Sequence, residues 1–408
     1  LIDPALLHVL VVDDARLMRE VAQAFLRQAG VGRITPCNDG QAALEALDSS
    51  DVPVDLILLD LNMPVMDGIE VLRHLGARGF TGHVALVSAE NVRVLRTAET
   101  LARAHNLNIV GYMEKPMTAD ALRRVLERIE RRQQRSATSP DEPVSEQDLL
   151  DGIRDGQLLI EVQPKIEMRS RALVGVEALA RWRHPVRGNI QPGRFVPVAE
   201  AGEGAGPLFE TVLNQAVRAA ARWRVQGLSL KISVNISTAN LTRLYLPERI
   251  TAAVTEAGLQ PQDVMLEVTE SRLIQDLAAA LEVLTRLRMK GFGLSIDDFG
   301  TGYSSLEQLQ RIPFEELKID RQFVSGAALD GPARAIMSSS IRLARQLGMS
   351  TVAEGIETKA DWDCAQRLGC DIAQGYLMAR PMPVDQLPAW AAAWKSGISA
   401  TPASGEGP

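Results

Sequence analysis

Cysteine is scarce in this 408-residue chain, which holds only Cys37, Cys364 and Cys370. An odd, sparse set implies reduced thiols in a cytoplasmic protein, not a disulfide framework. Histidine is also thin. His8, His74, His83, His105 and His184 are scattered and form no H-x3-H or HExxH pattern. Neither a zinc site nor a Ser-His-Asp triad therefore has a supporting motif. No apolar run approaches the ~20 residues that a membrane span needs. The opening LIDPALLHVLVVDD has no basic segment ahead of its apolar stretch, so a signal peptide is not expected. Basic charge is not in excess, since 44 Lys and Arg face 51 Asp and Glu for a net charge of −7. Binding long nucleic acid needs clustered Lys and Arg, so no DNA partner is expected. Small phosphorylated ligands stay open, because a bound metal reverses the local field.

The length predicts two or three domains at ~100–200 residues each. Over residues 8–130, short apolar runs alternate with helical patterns. Strands are expected at His8–Val12, Val54–Leu59, Val84–Val87 and Ile109–Met113, with helices over Arg16–Gly30 and Ala121–Ile129. Such alternation predicts a parallel sheet covered on both faces, a doubly wound α/β domain over residues 1–135. Residues 136–143 read SATSPDEP, which marks a linker over 136–145. Ser145 with Asp148 then resembles a capping box opening the next helix.

From about residue 157 the alternation resumes. Eight strands are expected, at Val162–Ile166, Val174–Leu179, Ile232–Ile236, Met265–Thr269, Gly293–Asp297, Leu317–Asp320, Thr351–Glu354 and Ile372–Leu377. Helical patterns such as Leu208–Gln226, Asp276–Lys290 and Ala333–Leu347 lie between them. This fits a (β/α)8 barrel over 146–395, although strand count alone also allows an open doubly wound sheet. The tail 396–408 is expected to be disordered.

Acids fall at strand ends. In the first domain Asp13, Asp14, Asp60, Ser88 and Lys115 would meet at the carboxyl edge of a parallel sheet. Adjacent carboxylates repel unless a hard cation such as Mg2+ bridges them, and one of them could accept a phosphoryl group. In the second domain Glu177, Asn235, Glu267, Glu270, Asp297, Asp298, Lys318, Glu354, Glu357 and Gln374 recur at strand C-termini, the catalytic face of a barrel. So many oxygen ligands suit one or two Mg2+ or Mn2+ ions, and a metal pair suits in-line attack of water on a phosphodiester.

VVDDARLMR, LLDLNMPVMDG, LVSA and GYMEKP resemble the receiver domain of bacterial response regulators. The resemblance implies that Asp60 is the phosphoacceptor, that Asp13 and Asp14 help it hold Mg2+, and that Ser88 and Lys115 contact the phosphoryl oxygens. Tyr112 matches an aromatic switch position, and a histidine kinase or phosphotransfer protein is the implied donor. EALARW, SVNIS, EVTES, DDFGTGYSSL, LKIDRQF, AEGIET and AQGYLMARP resemble the EAL family of bacterial cyclic di-GMP phosphodiesterases. By that resemblance Glu177, Asn235, Glu267 and Asp297 are metal ligands and Asp298 serves a second metal. Lys318 orients the attacking water, Glu354 is the general base or bridging acid, and Gln374 lies near the water. Gln163, Leu179, Arg181 and Glu357 are implied substrate contacts. Glu270 and the 299–305 segment match a loop that couples metal binding to dimerisation, so a homodimer or higher homo-oligomer is expected. Val162 departs from the aromatic usual before QP, and AGEGAGPLFE is unusually Gly-rich. The expected function is phosphorylation-regulated hydrolysis of cyclic di-GMP to linear pGpG. The alternative is an inactive EAL receptor that signals by protein contact.

Overall fold

In the computed structural model, residues 4–88, 92–105, 107–137, 143–269, 277–300, 309 and 311–397 are described. The chain divides into two units, Leu1–Asp141 and Glu142–Pro408. In the first, β1 (His8–Val12), β2 (Arg33–Cys37), β3 (Leu56–Asp60), β4 (His83–Ser88) and β5 (Asn108–Glu114) form a parallel sheet in the order β2-β1-β3-β4-β5. Strand alternation gives each face its own core. Leu10, Val12, Ile57 and Leu59 pack on one side, and Val9, Val11, Leu56 and Leu58 on the other. The strand β2 was not expected from its sequence. RITPC is polar and carries Pro36, which a sheet edge tolerates because one side needs no ladder bond.

The second unit contains β6 (Leu158–Glu167), β7 (Leu173–His184), β8 (Gly188–Ile190), β9 (Lys231–Asn235), β10 (Val264–Thr269), β11 (Gly293–Phe299), β12 (Glu316–Ile319), β13 (Ser350–Ala353), β14 (Ile372–Ala373) and β15 (Met382–Pro383). Pairing of β6 with both β7 and β14 closes eight of these strands into a barrel. The open-sheet alternative is thereby removed. Each of the eight expected strands corresponds to a barrel strand, but two details differ. β6 runs antiparallel to β7 and β14, whereas the pairings from β7 around to β14 are parallel. β14 spans only Ile372–Ala373, because the chain then turns at Gly375, where any Cβ would collide with the Ile356 backbone. The entry helix Glu146–Arg154 opens on the reciprocal Ser145–Asp148 capping box. Residues 138–142 of the expected linker and 398–408 of the tail lie outside the described residues. Among the described residues, no helix is long and apolar enough to cross a membrane.

All three cysteines are buried and free. Burial pushes the Cys37 and Cys370 thiols from 9.0 up to about 11. Each neutral thiol therefore contributes stability that is full below pH 9.0 and is lost as pH rises through about 11. Denaturant unfolding of Cys370→Ala is expected to show a shallower alkaline loss of barrel stability than wild type. An unchanged slope contradicts this.

Candidate active site

Along the barrel strands alternate residues share a face. Gln163 and Lys165 of β6, Glu177 of β7, Ser233 and Asn235 of β9, and Glu267 of β10 take part in one set of hydrogen bonds across the barrel. Glu316 and Lys318 of β12 join it, as does Ser295 of β11. Lys318 is the hub and is 1% exposed. Its Nζ lies 2.6 Å from Glu267 Oε2, 2.7 Å from Glu354 Oε1, 3.1 Å from Asp297 Oδ1 and 3.5 Å from Glu177 Oε2.

Glu177 is held at both oxygens. Asn235 Nδ2 donates to Oε1 at 2.8 Å and Gln374 Nε2 donates to Oε2 at 2.6 Å. Gln374 Nε2 also reaches Gln163 Oε1 at 3.1 Å, and Gln163 Nε2 donates to the Ala379 carbonyl at 3.1 Å. Among the described residues, Gln374 Oε1 is buried without a hydrogen-bond partner.

A bulge brings in the remaining acids. The β11–β12 register shifts between Ile296 and Phe299, and Asp298 takes a left-handed φ of 56°. A non-glycine residue in that region is strained, and such strain clusters at functional sites. The Asp298 amide donates to Asp297 Oδ1 at 2.9 Å. Ligand atoms of Asp297, Asp298 and Glu354 lie within 4.8 Å of one another, as do those of Glu177, Glu267 and Asp297.

Burial pushes the Glu177 and Glu354 carboxyls up against the pull of Lys318. Burial acts on Glu267 in the same direction, but Lys165 and Lys318 outweigh it and hold that carboxyl at about 2. Asp298 is pushed up to about 6 by burial, then by Asp297 and Asp320. Six carboxylates (Glu177, Glu267, Asp297, Asp298, Glu316 and Glu354) face two ammonium groups (Lys165 and Lys318) in this cluster. The excess of carboxylates over ammonium groups suits a bound cation. The donors are oxygens, which fit a hard cation better than zinc.

Of the other expected site residues, Leu179 and Arg181 lie further along β7, opposite Glu161 and Leu159. Arg181 Nε donates to Glu161 Oε2 at 2.7 Å. Glu357 stands apart from the acid cluster, exposed and 3.8 Å from Arg321 Nη2. Glu270 and residues 301–305 lie outside the described residues. Sequence reasoning missed Lys165, Ser233, Ser295 and Glu316. Each stands two residues from a motif residue on the same strand, so the strand period alone would have found them.

In the first unit Asp13, Asp14, Asp60 and Lys115 also meet. Lys115 Nζ lies 2.7 Å from Asp13 Oδ2 and 2.7 Å from Asp60 Oδ2, with both carboxylates buried. Asp14 is exposed beside them, and the three acids have ligand atoms within 4.8 Å of one another. Burial raises the Asp60 carboxyl against the pull of Lys115. Ser88 is buried at the end of β4, and Tyr112 on β5 is 38% exposed. Arg19 was not anticipated. Its Nη1 donates to the Asp13 and Asp14 carbonyls at 2.6 and 2.9 Å and pins the loop that carries both acids.

A family model described as the EAL domain matches residues 146–381, and one described as the response regulator receiver domain matches residues 9–127. The cyclic di-GMP phosphodiesterase RocR of Pseudomonas aeruginosa is 37% identical over 381 residues, 92% of this chain and 96% of that protein. The bifunctional diguanylate cyclase/cyclic di-GMP phosphodiesterase MucR of the same species is 42% identical over 241 residues, 59% of this chain and 35% of that protein. A solved structure described as the PaMucR phosphodiesterase in complex with c-di-GMP superposes with a TM-score of 0.57 at 42% identity. It covers 59% of this chain and 98% of that one.

Proposed function

Because this chain belongs to the EAL domain family and carries a response regulator receiver domain ahead of its EAL domain, we propose that it is a cytoplasmic response regulator hydrolysing cyclic di-GMP to linear pGpG. The observation that carries the reading is Lys318 buried among Glu177, Glu267, Asp297 and Glu354. That arrangement lies in a chain matching a phosphodiesterase over nearly its whole length.

In this reading Glu177, Asn235, Glu267 and Asp297 hold one Mg2+ or Mn2+, and Asp298 serves a second. Metal bound there would supply charge neutralisation and a more acidic water. Glu354 Oε1 accepts the proton as water attacks phosphorus in line, and the bond to the leaving ribose oxygen breaks. Lys318 Nζ orients the water and stabilises charge developing on the phosphate oxygens. Gln374 lies near the same water, beside Glu177. Gln163, Leu179, Arg181 and Glu357 contact the nucleotide. Domain limits at 1–135 and 146–395, with a linker at 136–145, accompany this reading, as does a homodimer coupled through Glu270. In the receiver Asp60 accepts a phosphoryl group from a histidine kinase or phosphotransfer protein, with Mg2+ on Asp13, Asp14 and Asp60. Ser88 and Lys115 contact the phosphoryl oxygens, and Tyr112 reports the change.

Loss of a general base typically costs about 100- to 10,000-fold in rate. Glu354→Ala is therefore expected to lose turnover on that scale while still binding cyclic di-GMP in equilibrium dialysis. Turnover left intact would remove Glu354 from its role.

A further inference from the structure

Below Lys318 a second buried lysine meets the same carboxylate. Lys165 Nζ donates to Glu267 Oε1 at 2.7 Å, to Ser233 Oγ at 2.8 Å and to Glu316 Oε1 at 3.0 Å, so its three donors are used. Ser295 Oγ donates to the same Glu316 oxygen at 3.0 Å. Glu267 is fully buried and has one oxygen on each lysine, Oε1 on Lys165 and Oε2 on Lys318.

The two lysines differ in what they touch. Lys318 is shared among four carboxylates of the catalytic cluster, whereas of these four Lys165 bonds only Glu267. Its second acid, Glu316, anchors it from β12. We propose that Lys165 is a positioning residue that fixes Glu267 as a metal ligand. It ties down Oε1 and thereby leaves Oε2 turned toward Lys318 and the acid cluster. Glu316 and Ser233 hold Lys165 in turn. This rests on the reading that Glu267 binds metal.

A buried ion pair is weak evidence of stabilisation, because desolvation offsets its attraction. Partners that orient a metal ligand, by contrast, typically change metal affinity or activity about 10- to 100-fold when removed. Lys165→Met alone strands Glu316 as a buried unpaired acid and risks misfolding. The pair Lys165→Met with Glu316→Met removes both charges at similar volume.

The test is calorimetric titration of the full chain with Mn2+, without nucleotide, in an Asp13→Asn background that disables the receiver pocket. Unfolding is followed in parallel. The double variant is expected to unfold as cooperatively as its parent and to bind Mn2+ about 10- to 100-fold more weakly. Its turnover should recover as Mn2+ is raised. A cooperatively folded double variant with Mn2+ affinity within about twofold of its parent overturns the proposal, since about 10-fold is the least expected. A parent that binds no Mn2+ overturns the metal reading itself, and the proposal with it.

Discussion

Lys318→Met is expected to lower cyclic di-GMP turnover by about 100-fold or more and, in metal-free protein, to cost about 3–5 kcal/mol of barrel stability. Both effects have the same origin. The ammonium group lies within 3.5 Å of four carboxylates and is 1% exposed. Without it, Glu177, Asp297 and Glu354 lose their shared cation, and Glu267 keeps only Lys165. The two effects should then part. Adding Mn2+ is expected to restore the unfolding midpoint of Lys318→Met, because a divalent ion replaces the missing positive charge. It is not expected to restore turnover, because a coordinated metal cannot donate the hydrogen bonds that orient the attacking water. Turnover recovering together with stability would reduce Lys318 to charge compensation.

Asp60→Asn is expected to abolish phosphoryl incorporation from an acyl-phosphate donor, whereas wild type incorporates it. In wild type the Asp60 oxygen would attack phosphorus, the phosphorus–oxygen bond to the donor's acyl group would break, and the donor's carboxylate would leave. The pocket is prepared for this, with Lys115 bonded to Asp13 and Asp60 and Arg19 pinning the loop of Asp13 and Asp14. A phosphoryl group adds about −1.5 to −2 charge beside Lys115, which must then be shared anew. The exposed Tyr112 lies on β5, three residues before that lysine. If the switch is coupled to the EAL domain, the donor should change wild-type turnover by about fivefold or more and leave Asp60→Asn unchanged. Equal turnover in all four samples, wild type and Asp60→Asn with and without donor, contradicts the coupling.

Much of both sites was legible because chemistry in these folds gathers at strand ends. Asp13, Asp60 and Lys115 follow or close apolar runs and converge in space, as do Glu177, Glu267, Asp297 and Lys318. What stayed hidden has physical causes. The edge strand Arg33–Cys37 buries little apolar surface, so its pattern carries no strand signal. The reversed direction of β6 leaves no trace in its own alternation, since period two reads the same both ways. The strained turn at Asp298 follows from a register shift with β12, a long-range event. In the Gly-rich AGEGAG segment a Cβ at Gly202 would meet the Glu146 carboxylate and one at Gly206 the Arg243 guanidinium, the ends of two flexible side chains, so the structure gives no strict packing reason for these glycines.

The central claim is that this chain cleaves cyclic di-GMP with a metal held by the barrel acids. It is tested most directly by incubating the full chain with cyclic di-GMP and Mg2+ or Mn2+, then separating the nucleotides by chromatography. The account predicts linear pGpG with either metal and none after chelation. No pGpG, at protein concentrations that demonstrably bind the nucleotide, would contradict it.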